Sequence, residues 1–304
     1  MSESVATAPR PTAAEHDGPV GATSTAGAEL LTAGGVRVRL GRREILHGVD
    51  LSVRAGEVVG LIGETGSGKT TFARAVLGLV PTSAGTITVG REGSNRTVVS
   101  ALRGSRLRAF RRTGAVQYVF QDPLRSLDPD LTVGRSVGQG LVLRGGLDAA
   151  RIETGVTEAL HAVGLDPDLA TRTPGQLSGG QRQRVAVARA LAVSPQVLIC
   201  DEPVSALDAA HRNHVLQLLD GLRRERELGL LLISHDLGSV AAVSDRVAVL
   251  YRGSIVEEGP TAQVLSRPEH PYTRMLLASA ASLHAGDSGA AGRRVLRREV
   301  LAGT

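Results

Sequence analysis

The chain has 304 residues, a formal net charge of +5 and 42 % hydrophobic content, which suits one large domain or two modest ones with a real core. Aromatic residues make up only 2 % with no Trp, leaving little for nucleic-acid binding by base stacking. Cys200 is the sole cysteine, so no internal disulfide forms; no apolar run approaches the ~18–20 residues that span a bilayer, and the N-terminus lacks a charged-then-apolar signal pattern.

Residues 1–29 are rich in Ala, Ser, Thr, Pro and Gly and read as a disordered tail. Alternating Val36-Arg37-Val38-Arg39-Leu40 and Val49-Asp50-Leu51-Ser52-Val53 predict paired strands. Val58-Val59-Gly60-Leu61-Ile62 predicts a buried strand that feeds Gly63-Glu64-Thr65-Gly66-Ser67-Gly68-Lys69-Thr70, a phosphate-binding loop, and Thr71–Leu77 predicts the helix leaving it. Lys69 is the only lysine of the chain; every other basic side chain is arginine. An ammonium is a compact point charge, whereas a guanidinium is a wide planar fork, and a loop wrapped around phosphate has room for the first. Lys69 is placed to reach β- and γ-phosphates and the Thr70 hydroxyl to ligate Mg²⁺. The loop indicates a nucleoside triphosphate without choosing among kinases, GTPases and motor ATPases.

Further strands are predicted at Thr86–Val89 and Val116–Phe120. Between them Arg103, Arg106, Arg108, Arg111 and Arg112 read as a solvated helix face rather than a polyanion site. Gln121 follows the second strand. From 134 to about 193 the pattern is helical, including Ala149–Val163 and Gln181–Val193. The latter is preceded by Leu177-Ser178-Gly179-Gly180: Ser178 caps the helix and the glycines free N–H groups to face an anion. Val197-Leu198-Ile199-Cys200 is an apolar strand ending in Asp201, suited to hold Mg²⁺, and Glu202, placed to polarise an attacking water. Ser205-Ala206-Leu207-Asp208 follows, then a helix over Leu207–Glu227, a strand at Leu230–Ile233 ending in Ser234-His235-Asp236, and a strand at Val247–Leu250. Cys200 reads as core packing. His211 and His214 can share a helix face, but no acid or thiol completes a metal site there. Pro268-Glu269-His270-Pro271-Tyr272-Thr273 with Leu276-Leu277 starts a C-terminal helix, and residues 283–304 read as loose.

In this order the motifs closely resemble those of the ATP-binding subunit of ABC transporters, over roughly residues 30–282. The resemblance implies an α/β fold: a P-loop NTPase (RecA-like) core with an antiparallel β subdomain and an α-helical subdomain inserted at about 122–178, the ATPase domain spanning 30–260 and a C-terminal element 261–282. It implies nucleotide contacts from Gly63 to Thr71, Gln121 as the Q-loop glutamine touching Mg²⁺, Glu202 as the catalytic base and His235 as the switch histidine. Two such subunits, alike or different, would close head to tail, with ATP between Lys69 of one and Ser178, Gly179, Gly180 and Gln181 of the other, and Asp208 linking the two sites. The Q-loop stretch Gln121-Asp122-Pro123 and the His270-Pro271-Tyr272-Thr273 element are similar to the peptide and nickel importer branch. That branch implies a second ATPase chain, two integral membrane subunits, an extracellular solute-binding protein acting through them, and a place at the cytoplasmic face of the membrane, with no nucleic-acid partner. One departure stands out: Leu40 occupies the place where the family usually stacks an aromatic ring on adenine. No cysteine follows Cys200, so the iron–sulfur cluster of some branch members is not expected. A soluble ABC ATPase acting on ribosomes or chromosomes is the rival, but neither a second ATPase domain nor a long coiled coil is visible.

Overall fold

Strands Val58–Ile62 (β3) and Gly229–Ile233 (β8) are buried at every residue. Such continuous apolar runs are what a parallel strand needs when both of its faces are covered. In this computed structural model, which describes residues 27–93, 96–120, 126–204 and 209–285, they form the centre of a sheet ordered β10-β9-β3-β8-β7-β6. The partners are Val116–Val119 (β6), Val197–Asp201 (β7), Arg246–Tyr251 (β9) and Ser254–Pro260 (β10). All pair in parallel except β10, which returns antiparallel along β9. Gln121, Asp208 and the terminal stretches 1–26 and 286–304 lie outside the described residues.

A second sheet, ordered β2-β1-β4-β5, is antiparallel and built on Glu29–Leu40 (β1) and Arg43–Arg54 (β2), with Ala84–Val89 (β4) and Thr97–Val98 (β5). Val36 pairs with Val49, in the two segments whose alternation predicts paired strands. Side chains alternate across the parallel sheet. Val59, Leu61, Ile199, Leu231 and Ile233 join a core with the antiparallel sheet and with Phe72 and Val76 of Lys69–Val76 (α1). Val58, Ile62, Leu198, Cys200 and Leu232 join the opposite core with the helices.

Gly104–Thr113 (α2) carries the arginine cluster. The helical stretch resolves into Val133–Arg144 (α3), Ala149–Ala162 (α4) and Gly179–Leu191 (α5). Thr132 and Asp148 cap the first two by accepting the N–H groups of Arg135 and Arg151 at 3.3 and 2.9 Å. Ala209–Arg226 (α6) and Leu237–Val243 (α7) connect β7 to β8 and β8 to β9, the crossovers that parallel strands require. Thr261–Ser266 (α8) and Pro271–Ala285 (α9) follow β10. No described helix is long and apolar enough to cross a membrane.

The structure departs from the sequence pattern in detail. Helix α5 starts two residues earlier than Gln181, because Ser178 caps it and both glycines become its first turn. Strand β10 is added at a segment whose Glu257 and Glu258 mask its alternation. The arginine cluster is exposed, as expected, and Arg111 in addition donates to the carbonyls of Leu77 and Gly78 beyond α1.

Candidate nucleotide site

Strand register assembles the site. Leu61 of β3 lies opposite Ile233 of β8, and Ile233 lies opposite Asp201 of β7. Residues just past that row therefore leave the sheet along one edge: the loop 63–68, Glu202, and Ser234-His235. Val119 of β6 sits opposite Cys200, so the segment leading to Gln121 exits at the same edge. Ligands of open α/β sheets bind outside such carboxyl ends.

Glycine makes the loop possible. Gly63 has φ +150°, and a Cβ there would lie 2.1 Å from the Leu250 carbonyl oxygen. Gly68, at φ +114°, precedes α1, and its Cβ would meet Leu46 Cδ2 at 2.7 Å. Glu64, Thr65 and Gly66 are exposed, Ser67, Gly68 and Lys69 buried, and Thr70 and Thr71 half-buried. The Lys69 Nζ donates to the carbonyls of Gly63 at 2.6 Å and Glu64 at 2.8 Å. Burial holds its pKa below the ordinary lysine value, while the carboxylates of Glu202, Asp201 and Glu64 pull it back up.

Thr70 Oγ1 donates to Asp201 Oδ2 at 3.2 Å, joining α1 to the end of β7. The phenol of Tyr118, on β6, donates to the same oxygen. Burial first, and then that bond, push its pKa far up. The sequence does not single out Tyr118; its place three residues before Gln121 is the only hint. The Thr70 hydroxyl and Asp201 carboxylate form an all-oxygen donor pair, which fits a hard cation such as Mg²⁺.

Glu202 adopts φ +49°, a left-handed conformation uncommon for a residue with a side chain. Its N–H donates to the Ile233 carbonyl at 2.8 Å, and its Oε1 lies 2.7 Å from His235 Nδ1. Asp236 caps α7: its carboxylate accepts from Gly238 N–H, the Ser239 hydroxyl and Arg212. Cys200, fully buried between these strands, has its thiol pushed up to about 12 by burial and by Asp201.

Ser178 and Gln181 form a reciprocal capping box: Ser178 Oγ accepts from Gln181 N–H at 3.2 Å and Gln181 Oε1 from Ser178 N–H at 2.9 Å. Ser178 and Gly179 are exposed, and no hydrogen bond among the described residues joins 178–181 to the loop of Lys69. The structure thus brings Lys69, Thr70, Asp201, Glu202 and His235 together, and the exposed Ser178 helix start makes no hydrogen bond with them among the described residues. Gln183, unremarked within its motif, is buried and donates to the Pro203 carbonyl at 2.7 Å, tying α5 to the chain just past Glu202.

A family model described as ABC transporter matches residues 46–205. The chain belongs to the ABC transporter family. A second model, the C-terminal region of oligopeptide/dipeptide transporters, matches residues 256–302 of this ABC chain. A protein of Brucella abortus (strain 2308), named as a peptide import ATP-binding protein, is 42 % identical over 267 residues, which is 86 % of this chain and 75 % of that one. A similarly named protein of Brucella ovis is 44 % identical over 237 residues, covering 78 % of this chain and 72 % of its own. Among solved structures, a post-hydrolysis dimer of the ATP-binding cassette MJ0796 with ADP and Pi aligns with TM-score 0.65 at 29 % identity, covering 76 % and 99 % of the two chains. CbiO1 from Clostridium perfringens, part of the ABC transporter complex cbiONQ, aligns with TM-score 0.70 at 25 % identity over 84 % and 95 %. The ABC chain is accordingly an ATP-binding ATPase with the α/β cassette fold.

Proposed function

We propose that this chain is the ATP-hydrolysing subunit of a peptide importer, bound peripherally to partner membrane subunits. The observation that carries the mechanism is the convergence of the Lys69 loop, Asp201, Glu202 and His235 on one sheet edge. The names of the Brucella relatives and the match of the C-terminal region favour peptides as cargo.

In the proposed reaction Lys69 leaves the carbonyls of Gly63 and Glu64 and contacts the β- and γ-phosphates. Loop N–H groups and the α1 N-terminus add positive potential there. Thr70, Asp201 and Gln121 would hold Mg²⁺, which supplies charge neutralisation at the phosphates. Glu202 orients and polarises the attacking water, and His235, hydrogen-bonded to Glu202, contacts the γ-phosphate. Ser178, Gly179, Gly180 and Gln181 face the ATP of a second ATPase subunit, which accounts for a helix start left exposed and without a hydrogen bond to its own loop. Asp208 would link the two sites.

A cleft of about 1170 Å³ runs from Thr70 and Asp201 out between α1, α2, β6 and α3. Leu79, Phe120 and Leu143 on its wall are each more than half exposed, beside Arg74, Arg108 and Arg112. This apolar and basic cleft is the proposed seat of a membrane-subunit segment, since movement there reaches the nucleotide directly. The test is reconstitution with co-purifying chains in vesicles: ATP-dependent peptide uptake supports the reading, and ATPase activity that co-purifies with ribosomes and no membrane subunit refutes it.

A further inference from the structure

The C-terminal helix touches the nucleotide loop through one hydroxyl. Tyr272, in the first turn of α9, is fully buried. Its Oη accepts the backbone N–H of Glu64 at 2.8 Å. Its ring stacks on Tyr251, with centroids 4.0 Å apart and planes at 28°. Tyr251 ends β9, the neighbour of the strand that feeds the loop. The start of the helix is fastened as well. Tyr272 N–H donates to His270 Nδ1 at 3.1 Å, and the N–H groups of Glu269 and His270 donate to the Glu257 carboxylate of β10 at 2.9 and 3.0 Å.

The contact falls on a sensitive peptide. In a trans peptide the N–H and C=O point from opposite edges of one plane. The plane between Gly63 and Glu64 gives its N–H to Tyr272 and its carbonyl to Lys69 Nζ at 2.6 Å. Gly63, at φ +150°, offers little resistance to rotation of that plane. When Lys69 moves to phosphate, one of the two clamps is released and the tyrosine remains.

We propose that Tyr272 is a positioning residue of the nucleotide site, whose hydroxyl keeps the Gly63–Glu64 peptide in the orientation that leaves the loop ready for phosphate. This role rests on the ATP-site reading above. A loop correctly formed only part of the time binds with an affinity reduced by that fraction. The effect therefore falls on nucleotide affinity and spares turnover once ATP saturates.

The test is Tyr272→Phe in the full chain, which keeps the ring stack and removes the hydroxyl. Amide exchange at Glu64 should rise at least about tenfold while Val249 in β9 stays slow, marking a local rather than global opening. The ATP Kd should rise about five- to thirtyfold, with kcat at saturating ATP within about twofold. Unchanged Glu64 exchange overturns the contact, and faster exchange with wild-type ATP affinity overturns the positioning role. If the variant does not fold, the unmodified protein still decides: its Glu64 amide must be protected without nucleotide, and fast exchange there overturns the proposal. A wild-type chain with a protected Glu64 amide that binds no ATP would sink the ATP-site reading instead, and with it the positioning role.

Discussion

Nδ1 of His235 lies 2.7 Å from Oε1 of Glu202, joining the ends of β8 and β7. The histidine side chain is mostly exposed and the glutamate only 18 % exposed, so the pair presents a held carboxylate beneath an accessible ring. A base oriented this way contributes about 10²–10⁴ in rate. Glu202→Gln should keep ATP binding and lower phosphate release at least about hundredfold. Near-normal release would remove Glu202 from the role of base. His235→Ala should also cut turnover, by about tenfold or more, with ATP binding retained.

Lys69→Arg keeps the charge and changes the shape. The lysine is only 8 % exposed, and its Nζ fits between two loop carbonyls. A guanidinium is a wide planar fork, for which a loop closed around phosphate has less room than for an ammonium, so the ATP Kd should rise about thirtyfold or more by titration calorimetry. Wild-type affinity would refute the size argument.

Leu40 ends β1 with 47 % of its surface exposed, available to a ligand face. Base–aromatic stacking is worth about 1–3 kcal/mol, so Leu40→Tyr should tighten ATP about five- to 150-fold. Equal affinities in the two proteins would show that Leu40 does not face the base.

Asp236 is subject to burial, which raises its pKa, but the hydrogen bonds of Ser239 and Gly238 and the charge of Arg212 outweigh it, so the carboxyl stays below the ordinary value. A depressed carboxyl stabilises the fold above the unfolded pKa, near ~3.9, and loses that contribution as pH falls through the folded value. Asp236→Asn should therefore lower the thermal midpoint by a constant amount between pH 5 and 8. The gap from wild type should shrink as pH falls below about 4. A gap that persists in acid would assign the effect to something other than ionisation.

Cys200 should resist thiol reagents at pH 8 in the folded chain, because it is fully buried and its thiol is pushed up to about 12. Labelling by a chromogenic disulfide should follow unfolding by guanidinium. Fast labelling without denaturant would contradict the packing.

The parallel core was legible because three of its strands are apolar runs that each end in a chemical group: Lys69 after β3, Asp201 and Glu202 after β7, His235 after β8. What stayed hidden depends on contacts across long stretches of chain. Tyr118 reaches Asp201 from a neighbouring strand, and Tyr272 reaches Glu64 from 208 residues away. Periodicity carries no trace of such pairings. The arginine cluster is exposed as its helix-face pattern predicts, but that pattern does not reveal the carbonyls of Leu77 and Gly78 that Arg111 meets. Strand β10 escapes the sequence pattern because glutamates stand where alternation calls for apolar residues.

The chain has no tryptophan and three tyrosines, and every one of them borders the candidate site. Tyr118 bonds Asp201, Tyr272 bonds the loop, and Tyr251 stacks on Tyr272. Tyrosine emission from the unlabelled protein thus comes only from three rings that lie at or next to Asp201 and the loop 63–68. Their emission should therefore change when nucleotide binds at that loop, giving a dye-free readout of binding.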